Sequence, residues 1–217
     1  MREIKEIKGL KMICREGTLD DFVVKENDYA NCNFEENDIW LDAGGNIGVF
    51  PCKFHNKVKQ IISYEPDLTN YNILSENLKL NNVENCITIN SCLVENNDLT
   101  RDFFLNNKKN KGMHSLLVKR GREKITVNCE NIVEVINKYN INKIKMDVEG
   151  SEYKLLKVMD FTNIKEIVLE YHFVILKDID KKEKYYEIIE LLKNNFTNVE
   201  YRDNLNKRWT IIIKANK

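Results

Sequence analysis

The residues of this chain best suited to chemistry are carboxylates that close apolar runs. Asp42 ends Ile39-Trp40-Leu41 and leads into Ala43-Gly44-Gly45-Asn46-Ile47-Gly48. Glu65 ends Ile61-Ile62-Ser63-Tyr64 and is followed by Pro66. Asp147 ends Ile144-Lys145-Met146 and opens Val148-Glu149-Gly150-Ser151-Glu152, and Glu170-Tyr171-His172 follows Ile167-Val168-Leu169. An apolar run that finishes in a carboxylate and then glycines is how a parallel strand delivers its C-terminal end to a ligand. The glycines admit close backbone approach, and the next helix offers free N–H groups.

Two ligand classes use that geometry. Dinucleotide enzymes carry G-x-G-x-x-G, but Ala43 stands where the first glycine belongs, and Asp42 just before it would repel a pyrophosphate. A cationic sulfonium meets no such repulsion, and its amino and hydroxyl groups need acceptors. Glu65, at the end of the neighbouring strand, can accept both ribose hydroxyls. The pair favours S-adenosylmethionine over NAD, which leaves an NAD-dependent oxidoreductase as the weaker reading.

The elements that must hold these residues alternate. Strands are expected at 39–42, 60–65, 86–90, 143–147 and 166–170, and helices at 48–54, 69–80, 132–139, 149–159 and 182–195. Stretches 199–201 and 209–213 should close the sheet as an antiparallel pair. This is a doubly wound α/β domain with one antiparallel edge. Residues 1–38 read as an N-terminal cap segment in which 19–26 is a short helix or an edge strand, the helix being preferred. Residues 93–129 read as an antiparallel β insertion beside the main sheet, its pieces at 103–105, 115–118 and 124–127 separated by Asn, Lys and Gly turns.

Size and composition bound the rest. The chain has 217 residues, 42% hydrophobic and 31% charged, which fits one globular domain over 1–217. The 34 basic and 34 acidic residues cancel, so a dedicated nucleic-acid binder is not expected. No apolar run approaches a membrane span, and Met1 to Met12 lacks the apolar core of a signal peptide. Cysteines at 14, 32, 52, 86, 92 and 129 form no CxxC pair, which points to reduced thiols in the cytoplasm rather than a zinc or redox site.

Taken together, Asp42-Ala-Gly-Gly-Asn46-Ile-Gly48, Tyr64-Glu65-Pro66-Asp67, Asn70, Asn77, Lys145-Met-Asp147-Val-Glu149-Gly150-Ser-Glu152 and Leu169-Glu170-Tyr-His172 resemble the FkbM family of S-adenosylmethionine-dependent methyltransferases. Thr18, Asp20 and Tyr29 look like that family's N-terminal entry. The glycine loop alone is specific only to a class of folds, whereas the Asp-Val-Glu-Gly-Ser-Glu block is far more specific. The resemblance implies a class I methyltransferase fold, Rossmann-like, with a seven-stranded sheet. It also implies methyl transfer to oxygen, usually a hydroxyl of a sugar or a polyketide-like metabolite, and a sugar or nucleotide sugar/glycan is the expected small-molecule acceptor. Methylation of RNA or protein stays open beside that reading, as does a catalytically silent binding module of the same fold.

Roles follow from the resemblance. Asp42, Ala43, Gly44, Gly45, Asn46 and Gly48 would line the methionine and ribose. Glu65 would hold the ribose, Pro66 would turn the chain under the adenine, and Ser91 and Cys92, at the end of the third strand, would meet the adenine. A small buried residue is the plainer account of Cys92. Asp147 and Glu149 would face the acceptor, although acidic residues also favour helix N-termini by roughly 0.3–1 kcal/mol each. His172 would be the general base, its ordinary pKa of ~6.5 leaving it part neutral. His114 is expected to be an exposed loop residue, and His55 has no role. Asp147, Glu149, Glu170 and His172 could gather a divalent metal, but a metal-free site is the preferred expectation.

Overall fold

The computed structural model describes residues 1–26, 29–106, 114–117, 122–173, 180–202 and 210–217. It begins with a hairpin, Arg2–Ile7 (β1) and Leu10–Arg15 (β2), which residues 1–38 were not expected to hold. Lys8 and Gly9 turn it, both at positive φ (50° and 80°), a conformation that matches the twist of the flanking strands. The short helix Asp20–Lys25 (α1) follows as expected. Arg15 ties it down, its Nε and Nη2 donating to the two oxygens of Asp20 at 2.9 Å each.

Strand–helix alternation then runs through Ile39–Ala43 (β3), Val49–Phe54 (α2), Gln60–Tyr64 (β4), Leu68–Leu80 (α3) and Cys86–Ile89 (β5). Asp67 caps α3 by accepting from the Asn70 amide at 2.7 Å. The insertion contributes Cys92–Val94 (β6), Thr100–Leu105 (β7) and Glu123–Asn131 (β8). The alternation resumes with Ile132–Tyr139 (α4), Lys143–Met146 (β9), Glu152–Val158 (α5), Glu166–His172 (β10) and Asp180–Lys193 (α6), and ends in Asn198–Glu200 (β11) and Thr210–Asn216 (β12).

The main sheet has seven strands in the order β11-β12-β10-β9-β3-β4-β5. Strands β10, β9, β3, β4 and β5 are mutually parallel, and β12 is antiparallel to β10 and β11. The expected doubly wound sheet with an antiparallel edge is therefore present, Trp209 lying outside the described residues. The chain winds from β3 outward to β5, then returns to lay β9 on the other side of β3. That reversal opens a crevice above the C-terminal ends of β3 and β9.

Three local expectations change. The insertion is a mixed three-stranded sheet, β6-β8-β7, because Cys92–Val94 pairs parallel to Cys129–Asn131. Ser115 forms a single bridge to Phe104, and Val118 lies outside the described residues. Helix α5 starts at Glu152 rather than Glu149, since Glu149 and Gly150 turn at positive φ (51° and 107°).

The two lysines of β9 show what a buried strand demands of a charge. Lys143 and Lys145 share one face of the strand and are both buried. Lys143 Nζ meets Asp38 at 2.7 Å and Glu166 at 3.6 Å, and Lys145 Nζ meets Asp42 at 3.0 Å. A charge is tolerated there because it is paired.

Candidate active site

At the floor of the crevice, the parallel neighbours β3 and β9 end close together. The Asp147 amide donates to the Ala43 carbonyl at 2.9 Å. A Cβ on Gly44, whose φ is 89°, would stand 1.9 Å from the Asp147 carbonyl oxygen. A Cβ on Gly45 would stand 2.3 Å from Ser63 Oγ and 2.7 Å from a Leu74 methyl. The glycine pair thus lets the chain pass its own neighbours, and both amides donate to the Tyr64 carbonyl, at 3.0 and 2.8 Å.

Asp42 is not aimed at a ligand. It is fully buried, its Oδ2 accepting from Ser63 Oγ at 2.6 Å and its Oδ1 lying 3.0 Å from Lys145 Nζ. Lys145 also donates to the Gly44 carbonyl at 2.6 Å. Burial opposes its charge, but Asp42 and Asp147 outweigh burial and hold the ammonium above its ordinary pKa. The electrostatic argument that read Asp42 as a repellent of pyrophosphate therefore fails, because its charge is compensated inside the sheet. Ala43 and Gly48 lie in the packing below the loop, Gly48 against Leu74.

A cavity opens over the crevice, lined from the loop and strand ends by Gly44, Asn46, Glu65, Pro66, Ser91 and Cys92. Gly45 borders a smaller adjoining pocket with Val49, Phe50 and Lys145. Glu65 is 5% exposed, and its Oε2 and Oε1 accept the backbone amides of Asn46 and Asp67, each at 2.8 Å. Burial pushes its carboxyl up to about 8 despite those donors. Ser91 and Cys92 reach the cavity, but from the start of the insertion: β5 ends at Ile89, and Cys92 opens β6.

The cap and the insertion both contribute walls. Leu19, Phe22 and Val23 come from the α1 segment, and Phe103, His114 and Leu116 from the insertion. His114 is buried rather than exposed, its Nδ1 accepting the Asn106 amide at 2.8 Å. Ser115 Oγ donates to the Glu149 carbonyl at 2.8 Å and so fastens the insertion to the bend after β9.

Asp147, Glu149 and Glu170 line the opposite wall. His172 sits behind them, 5% exposed. Its Nδ1 is 2.8 Å from Glu152 Oε1, an oxygen that also accepts the Gly150 amide at 3.0 Å. Its Nε2 points at Glu149 Oε2, 3.4 Å away, and Asp147 Oδ1, 3.8 Å away. Burial opposes a charge on this imidazole, but the Glu152 contact, with Glu149 and Asp147 behind it, pushes it up to about 10. The expectation of a part-neutral His172 serving as general base does not fit this setting. Burial also raises Glu149, against the pull of His172.

Residues 42–202 match the family described as the Methyltransferase FkbM domain. The chain belongs to the FkbM methyltransferase family. It is 28% identical over 177 residues to the methyltransferase sdnD of Sordaria araneosa, covering 64% of this chain and 68% of that protein. The FkbM methyltransferase of Methylobacillus flagellatus shares the fold with a TM-score of 0.53 at 15% identity, over 86% of this chain and 45% of that one. TYW2 of M. jannaschii, solved in complex with AdoMet, does so with a TM-score of 0.52 at 15% identity, over 99% of this chain and 84% of that one. These likenesses establish the class I methyltransferase fold.

Within this FkbM methyltransferase, sequence reasoning passed over Glu152 and Lys145 as site-building residues. Glu152 reads as an ordinary first-turn acid, and Lys145 as one residue of a strand. Their partners, His172 and Asp42, lie far along the chain, and only the fold joins them.

Proposed function

We propose that this FkbM methyltransferase uses S-adenosylmethionine to methylate a hydroxyl of a small molecule, a sugar or nucleotide sugar being the favoured acceptor class. The observation that carries this reading is the shared cavity: Asp147 and Glu149 face the same space as Gly44, Asn46 and Glu65. A donor held by the loop therefore lies beside carboxylates able to receive a hydroxyl proton.

The bound cofactor supplies an electrophilic methyl on a sulfonium. The protein's own groups do the rest. Glu65, held by two backbone amides, keeps a lone pair on each oxygen for the ribose hydroxyls. Pro66, Ser91 and Cys92 form the wall where the adenine would lie. Gly44 and Asn46 border the methionine side. Asp147 accepts the hydrogen bond of the acceptor hydroxyl and takes its proton as the new O–C bond forms. Its side chain is about one-third exposed toward this space, which suits a group that must meet a diffusing acceptor. Glu149 shapes the acceptor wall, and His172 holds the carboxylates in place.

Charge and size support a small acceptor over RNA, since acidic rather than basic side chains border the cavity. Among the described residues no helix is long and apolar enough to cross a membrane, and a cytoplasmic setting is supported by six unbridged cysteines. The test is a tritiated-methyl assay over nucleotide sugars, free sugars, RNA and protein. Label in a base-stable ether product supports the reading; label retained only on RNA or protein overturns it.

A further inference from the structure

We propose that Asp147, Glu170 and His172 form a binding site for a divalent cation of the Mn²⁺ type. Each offers one ligand atom, and the three atoms lie within 4.8 Å of one another. A metal about 2.1 Å from each ligand needs them at most about 4.2 Å apart, so a small inward rotation of two side chains completes the site.

The arrangement is built, not incidental. Glu170 and His172 are alternate residues of β10 and emerge on one face, opposite the end of β9 that carries Asp147. Glu152, 1% exposed, holds Nδ1 of His172 at 2.8 Å and so leaves Nε2 directed at the carboxylates. A carboxylate that fixes one imidazole nitrogen while the other faces an acidic cluster is the outer-shell pattern of metal-bound histidine. His172 is 5% exposed, and neither Glu149 Oε2 at 3.4 Å nor Asp147 Oδ1 at 3.8 Å makes a hydrogen bond with its Nε2. Asp147 Oδ1 is itself buried without a hydrogen-bond partner. Asp147 Oδ1, without a hydrogen-bond partner, and His172 Nε2, 3.8 Å from it, face one another, and a cation between them would take the place of the proton that the carboxylates otherwise favour on the imidazole.

Asp147 and Glu170 both reach the cavity wall, so the ion would keep open positions toward the acceptor. One imidazole with carboxylate oxygens suits Mn²⁺ better than Ca²⁺, which takes oxygen alone, or structural Zn²⁺, which closes its four positions. This role deepens the hydroxyl-methylation reading and rests on it. The ion would take the acceptor's hydroxyl oxygen and ease its ionisation. The proton passes to the second oxygen of Asp147, the oxygen lone pair forms the bond to the methyl carbon, and the carbon–sulfur pair stays with sulfur, which leaves as a neutral thioether.

The experiment titrates Mn²⁺ into the chelator-treated full chain and follows loss of the free-ion signal by electron paramagnetic resonance, with circular dichroism to verify folding. One ion per chain is expected. Weakening of about 10–100-fold is expected in Glu152→Gln, and at least as much in Glu170→Gln and His172→Ala. If His172→Ala unfolds, Glu170→Gln carries the comparison. No binding by the folded wild-type chain, or equal affinity in Glu170→Gln, overturns the site. Stoichiometric binding with no methylated hydroxyl product keeps the site and removes the reading it serves. Product formed at full rate by metal-free protein keeps that reading and overturns the ion's role in it.

Discussion

Asp42 and Lys145 stand opposite each other on adjacent parallel strands, their side chains joined at 3.0 Å with 0% and 5% exposure. This ion pair lies directly beneath the glycine loop, and Lys145 extends it by holding the Gly44 carbonyl. Asp42 therefore acts on the cofactor loop from below, as a structural anchor. Asp42→Ala would leave a buried ammonium unpaired, and a loss of about 3–5 kcal/mol in urea unfolding is expected. Asp42→Asn should cost less, because Ser63 and Lys145 keep an acceptor. Stability of Asp42→Ala within about 0.5 kcal/mol of wild type would show that the pair does not hold the loop.

Gly44 tests the close approach of the chain ends after β3 and β9. A methyl group 1.9 Å from the Asp147 carbonyl must push that strand end away, at a backbone φ of 89° that disfavours a side chain. Gly44→Ala should lower stability by at least about 2 kcal/mol and displace Asp147. Methyl transfer should therefore fall further than cofactor affinity does. A steady-state assay beside calorimetric cofactor binding separates the two.

Glu65 sets a pH dependence. Its folded pKa of about 8 lies above the ordinary carboxylate value, so the folded cofactor-free protein holds this proton where the unfolded chain has released it. The stability this residue contributes is thus fully present below its unfolded pKa of 4.5 and is lost as pH rises toward 8. Ribose hydroxyls donate to the ionised form, so cofactor binding releases a proton and should tighten as pH rises from about 6 to about 8. Calorimetry in buffers of different ionisation enthalpy reads that proton directly. Glu65→Gln should weaken binding and flatten the profile; an unchanged slope in that variant would remove the assignment.

Ser115 fastens the insertion to the acceptor wall through its 2.8 Å bond to the Glu149 carbonyl. Ser115→Ala should cost about 1 kcal/mol of stability. It should raise the acceptor KM with little change in cofactor affinity, because Gly44, Asn46 and Glu65 do not depend on that bond.

Much of the sheet is legible in the amino-acid sequence because parallel strands buried on both faces are apolar runs, as at Ile61–Tyr64 and Ile167–Leu169. Glycines and helix periods mark the gaps between them. The hairpin β1–β2 escaped because β1 is mostly charged and exposed and the apolar run Met12-Ile13-Cys14 of β2 is short, although the Lys8-Gly9 turn could have signalled it. Candidate site residues were legible where a carboxylate followed a strand end and also reached the cavity, as with Glu65 and Asp147, and Glu149 in the turn after β9. Asp42 has the same local signature yet turns inward, because its partner Lys145 is brought beside it only by the crossover. The environment of His172 was illegible for the same reason: Glu152 and Asp147 belong to other elements.

The central claim is that Asp147 receives the proton of an acceptor hydroxyl while the glycine loop and Glu65 hold the methyl donor. The most direct measurement is single-turnover methyl transfer by Asp147→Asn beside its cofactor affinity, with an acceptor identified in the labelled-methyl assay. The account predicts a rate lowered by about 100-fold or more with cofactor affinity within a few-fold of wild type. Transfer by that variant at near the wild-type rate would contradict it.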